Sequence, residues 1–160
     1  MACTAAELYE EDFYAWTRAQ AAALRRLAAE GWNAPLDLEH LAEEVEDLGR
    51  EQRNAVWSHL VRIVEHRLKL AYSPAREPRL GSFDSLDEAV SNVQRRLTPT
   101  IRREIEAALG EIYAEGRRHA RRGLLAHGER EAAARLPTRC PWTLDELLAP
   151  PPEDDPTKRP

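Results

Sequence analysis

The chain has 160 residues, 42% of them hydrophobic and 32% charged, with a formal net charge of −5. That length supports about one domain and a core that needs neither disulfides nor a structural metal. The mild charge and mixed composition exclude a disordered chain and a strongly basic nucleic-acid binder.

Thr4 followed by Glu7 forms a capping-box pattern that predicts a first helix from about 5 to Gly31. Tyr9, Phe13, Trp16, Ala23, Leu24 and Leu27 fall on its inward stripe. Gly31 then suits a left-handed turn, and Pro35 cannot continue a hydrogen-bonded helix. Asp37 caps a second helix over 36 to 72, with Leu38, Leu41, Val45, Leu48, Gln52, Val56, Leu60 and Ile63 inward. At 1.5 Å per residue this helix spans about 54 Å, and Gly49 marks either a kink or a close helix approach. Beyond Asn54, Trp57, Val61, Val64 and Leu68 add a second apolar side, so neighbours wrap that half more fully.

SPAREPRLGSF reads as an irregular loop, and Ser85 with Glu88 restarts helix with Leu86, Ala89, Val90, Val93 and Leu97 on one face. Thr98-Pro99 opens another helix with Ile101, Ile105, Ala108, Leu109 and Ile112 inward, fading near Gly123. Thr143 to Glu146 caps a short last helix, LDELL. No strand pattern and no internal repeat occurs. The expectation is an all-α helical bundle of about four main helices plus a short C-terminal one. It forms a single domain over 5–149, with a disordered proline-rich acidic tail at 150–160.

Cys3 and Cys140 make no metal spacing and no disulfide framework, which favours a reducing compartment. The start lacks a basic, then apolar, leader, and no apolar run approaches the roughly 20 residues of a membrane span. A soluble cytoplasmic protein with no membrane partner is expected.

The most conspicuous cluster is Glu39, Glu43, Glu44, Glu46 and Asp47. On a helical wheel, Glu39, Glu43, Glu46 and Asp47 lie within about 100° of one another and opposite the leucine stripe, where a solvated face is expected. Di-iron carboxylate bundles need inward ligands and commonly a Glu-x-x-His pair, which is missing. No metal and no cofactor is therefore expected. Besides the solvated face, an interface with an arginine-rich surface suits these acids.

His59 and His66 share an edge of the inward face and His119 lies inward on a later helix, a set that would have to converge to hold a metal. Arg53 before His59, and Arg122 before His127, have a spacing similar to the Arg-His pair of HEPN ribonucleases, a spacing that 21 arginines make common by chance. Residues 1–60 carry 12 acids and 5 bases, and residues 61–135 carry 11 and 15, which sets an acidic front against a basic middle. The arginine pairs 95-96, 102-103, 117-118 and 121-122 alternate with glutamates and lack interleaved aromatics, so nucleic acid is disfavoured as a partner.

YEEDFYAW, LDLEHLAEEVEDLG, HRLKLAYSP and CPWTLDELL, in that order, resemble the landmarks of the bacterial Domain of Unknown Function 29 family over about residues 7 to 150. The resemblance implies a soluble all-helical bacterial protein and no enzyme class. It carries over Glu43, Glu44, Glu46, Asp47 and His66 as recurrent positions. After Pro74 the chain departs from the family pattern, with PRLGSFDSL in place of an aromatic, arginine-rich stretch. The functional expectation is a non-catalytic protein-interaction or homo-oligomeric module. The alternative is a nuclease or metal-dependent hydrolase using His59 or His66 with the acidic block.

Overall fold

Eight helices and no strand occur among the described residues of the computed structural model, which are 4–32, 35–75 and 78–150, the side chains of 78–83 excepted. Cys3 and the tail expected at 150–160 lie outside them, apart from Pro150. The helices are α1 (Ala5–Glu11), α2 (Phe13–Ala29), α3 (Leu38–Tyr72), α4 (Pro78–Arg96), α5 (Pro99–Ala107), α6 (Leu109–Ala126), α7 (Arg130–Arg135) and α8 (Leu144–Leu148). The all-α expectation holds, with more breaks than the apolar periodicity implies.

The helix expected from 5 to 31 is interrupted at Asp12, whose extended backbone (φ −147°, ψ 78°) ends α1 while its side chain accepts from Ala15 N–H and caps α2. Ala108, with φ −99° and ψ 9° and no side-chain cap, separates α5 from α6. The stretch expected as a loop is helical from Pro78 onward, because proline fits a first helical turn, so Ser85 and Glu88 lie inside α4. Two of the three expected capping boxes form, Thr4 with Glu7 and Thr143 with Glu146, and the one expected at Ser85 and Glu88 does not start a helix. Gly31 takes the left-handed conformation, φ 76°.

The chain divides into two units: residues 1–56 with 96–104, and residues 57–95 with 105–160. In the first, α2 and the front of α3 approach closely at Gly49. A Cβ there would clash with the Thr17 hydroxyl and come within 3.1 Å of Tyr14 Cδ2. Gly49 is thus a close approach. Small side chains dominate the buried stripes on either side of it: Thr17 and Ala21 on α2, Ala42 and Gly49 on α3.

That contact corrects the expected inward stripes. Leu41 and Leu48 are 40% and 52% exposed, and Tyr9 and Leu27 are also exposed. Leu38 and Val56 of the expected stripe are buried, and with Ala42 and Gly49 they form a face centred roughly 85° from Leu41 and Leu48. Tyr9, Phe13 and Trp16 pack on one another, with ring centroids 4.9 to 5.7 Å apart.

In the second unit the back of α3 buries Leu60, Val61, Ile63, Val64 and Leu68, as its two apolar sides imply. α6 closes on it at Gly116, where a Cβ would lie 2.6 Å from Val64 Cγ1 and 2.8 Å from the Val61 carbonyl oxygen. Buried Arg67 donates to the carbonyls of Leu147 and Ala149, satisfying the end of α8. Tyr113 donates to the Pro137 carbonyl at 2.7 Å and fixes the strand-free return after α7.

Gly116→Ala is expected to lower stability by about 1–3 kcal/mol through overpacking against α3 backbone. Gly110→Ala, on the same helix with open space around it, should be neutral or gain up to about 1 kcal/mol. Urea unfolding of the two variants side by side measures the difference.

Candidate functional site

The acidic block does not act as one group. Glu43 and Glu44 are exposed. Glu46 receives Arg25 at 2.5 Å, and that hydrogen bond holds its carboxyl below the usual glutamate range. Asp47 pairs with Arg50. Glu46 therefore bonds across to α2, not to Arg50 along its own helix.

All of these acids belong to the first unit, whereas His59, His66 and His119 belong to the second. His66 is half-buried, and desolvation lowers its pKa. His119 lies 3.7 Å from Glu65, which also receives Lys69. Among the described residues no three or more His, Cys, Asp or Glu side chains gather as a metal ion would require. The possible convergence of the three histidines is not seen.

A different set of residues does converge. α2 presents Tyr14 and Arg18 on successive turns, α3 presents Glu46, Arg50 and Arg53, and α5 presents Glu104. With Asn54 they line an open pocket of about 380 Å³ within the first unit. Glu104 is its organising group. It accepts from Arg53 Nε at 2.9 Å, from the Tyr14 hydroxyl at 3.2 Å and from Arg18 Nη1 at 3.4 Å. Arg18 also lies over the Tyr14 ring, 5.8 Å from its centroid. Burial, then the nearby Glu104 charge, pushes the Tyr14 phenol above its ordinary pKa, so it remains a hydrogen-bond donor at neutral pH.

Asp12 ties together the starts of the two helices that carry Tyr14 and Glu104. Its carboxylate accepts from Ala15 N–H at 3.0 Å and from Thr100 N–H at 2.8 Å, which places one anion at the N-termini of both α2 and α5. Asp12 is 6% exposed. Burial pushes its pKa upward, but the hydrogen bonds from Ala15, Thr98 and Thr100 outweigh that and hold it below the usual aspartate range.

A family described as a domain of unknown function, DUF29, matches residues 8–151. The chain belongs to this family. A crystal structure of an alpha-helical protein of unknown function from Rhodospirillum rubrum ATCC 11170 is similar at 29% identity. It has a TM-score of 0.76 and covers 93% of this chain and 94% of that one. No curated protein matches. In this DUF29 chain no helix of the described residues is long and apolar enough to cross a membrane.

Sequence reasoning singled out Glu46 and Asp47 but missed Tyr14, Arg18 and Glu104 as partners. Tyr14 is out of phase with the conspicuous aromatic stripe, and Glu104 is one of several glutamates alternating with arginines. Glu104→Ala, which removes the carboxylate that Tyr14, Arg18 and Arg53 donate to, is expected to cost about 1–3 kcal/mol in chemical denaturation. Asp12 has a lowered folded pKa, so its contribution is complete above the unfolded pKa near about 4 and is lost as pH falls through the folded value. Asp12→Asn should therefore flatten the acid limb of stability below about pH 4, read from thermal melting against pH.

Proposed function

We propose that this DUF29 chain is a non-catalytic interaction module that pairs with a second copy of itself through the front of α3. The observation that carries this reading is the leucine shoulder that packing of Gly49 turns outward. Leu41 and Leu48 lie seven residues apart on one side of α3, 40% and 52% exposed, and Leu36 ahead of the helix is 58% exposed. Exposed Glu44 and Glu51 flank them. Such a face suits a helix with apolar and basic groups on one side.

The chain carries such a helix. On α6 the exposed residues Arg118, Arg121, Arg122 and Leu125 share a face at three- and four-residue steps. Both faces are exposed, so each is available to another copy. Charge complementarity steers and registers such a contact while the leucines supply most of its affinity. A front-to-front pairing of two α3 helices would instead bring Glu44 and Glu51 against their own copies, which charge repulsion disfavours. The nuclease or hydrolase alternative gains no specific support, since Glu46 and Asp47 are held by arginines and Glu43 and Glu44 stand exposed.

Sedimentation velocity at about 50 µM should give a dimer whose dissociation constant rises with salt. Leu48→Glu and, separately, Arg121→Glu should each weaken it at least about tenfold without lowering the melting temperature, since both side chains are exposed. A monomer at that concentration would sink the reading. So would a dimer indifferent to both substitutions.

A further inference from the structure

The pocket on the first unit is not used by the pairing just described, and its chemistry points elsewhere. Its lining holds three arginines against two glutamates. Glu46 accepts from Arg25, which stands outside the lining, and also feels the charges of Arg50 and Arg18, while Glu104 accepts from Arg53 and Arg18. Each guanidinium carries five N–H donors in a rigid fork, and the phenol and the asparagine amide add more. Donors therefore exceed acceptors, and positive charge exceeds negative by one. A ligand that completes such a site brings oxygen acceptors and negative charge.

The arginines are also held in place. Arg53 is fixed by Nε to Glu104, and Arg18 by Glu104 together with the Tyr14 ring. Arg50 is paired with Asp47. An arginine whose fork is already oriented loses less side-chain entropy on binding. The side chains of Arg18 and Arg50 are 57% and 61% exposed, so the mouth is open to small molecules. At about 380 Å³ the pocket is near the lower end of small-molecule sites and larger than a bare inorganic ion needs.

We propose that this pocket binds the oxyanion group of a small organic molecule, a phosphate monoester or a carboxylate, gripped by Arg18, Arg50 and Arg53. The organic body lies against Tyr14 and Asn54. Glu104 positions the arginines and does not contact the anion. Glu46 limits the excess of positive charge.

Isothermal titration calorimetry of the full chain at low ionic strength, with adenosine monophosphate, succinate and inorganic phosphate as probes, tests this. One organic probe should bind saturably at one site per chain and weaken as salt is raised. Arg18→Gln and Arg50→Gln should each reduce its affinity at least about tenfold while melting temperatures stay unchanged. Preference for adenosine monophosphate would assign a phosphate ester, and preference for succinate a carboxylate. Absence of saturable binding by all three at millimolar concentration would overturn the proposal, as would binding that neither substitution alters. Inorganic phosphate binding as tightly as both organic probes would overturn the claim of an organic ligand. Because Arg18 and Arg50 lie off the leucine shoulder, dimerisation of these variants separates failure of this site from failure of the pairing.

Discussion

The close approach of α2 and α3 at Gly49 sets the orientation of everything else in the first unit. Because no side chain intervenes there, the helices meet through Thr17, Ala21, Ala42 and Gly49, and their larger residues are rotated off the contact. Two consequences follow from one rotation. On one shoulder, Leu41 and Leu48 turn toward solvent. On the other, Glu46 and Arg53 turn far enough inward to meet Arg25 and Glu104. A bulky residue at 49 would hold the helices apart and dissolve both arrangements together. The same device recurs in the second unit, where Gly116 brings α6 against the backbone of α3.

Polar satisfaction explains why the pocket lining is ordered even though it lies near the surface. Asp12 occupies two helix N-termini at once, so the start of α5 is located by a residue 88 positions earlier in the chain. With α5 located, Glu104 falls within reach of Tyr14, Arg18 and Arg53. One carboxylate then satisfies three donors from two helices, which is a stronger positional constraint than any of the exposed ion pairs. Arg67 has a comparable structural role in the second unit, where its buried guanidinium terminates α8.

The helical character, the capping boxes at Thr4 and Thr143, the turn at Gly31 and the heavy burial of the back of α3 were legible because they depend on short-range rules: capping chemistry, backbone conformation and apolar periodicity. The breaks at Asp12 and Ala108 were not. Each interrupts a stretch whose apolar spacing continues across it, and only the partners show the cause for Asp12, a carboxylate recruited by α5. The phase of the front of α3 was misread for a physical reason. Weighting by hydrophobicity follows large side chains, whereas a tight helix crossing is marked by small ones. Gly49 carried the right signal, and taking it as the centre of the contact would have placed Leu41 and Leu48 on the shoulder.

The pocket was less legible still, because its members look ordinary one at a time. Arg53 and Glu104 belong to stretches where charge alternates, which usually marks a solvated face, and Arg18 lies in a run with no acid between Asp12 and Glu30. What distinguishes them is convergence from three helices, a property of the crossing geometry and not of any local spacing. The acidic block illustrates the converse. Five acids within nine residues draw the eye, yet Glu43 and Glu44 stand exposed while Glu46 and Asp47 are each neutralised by an arginine from outside the block. Density of charge along the chain measures how wet a helix face is. The functional weight of a charge depends on how many donors it must serve and how far water is kept from it, and by that measure Glu104 outranks the whole block.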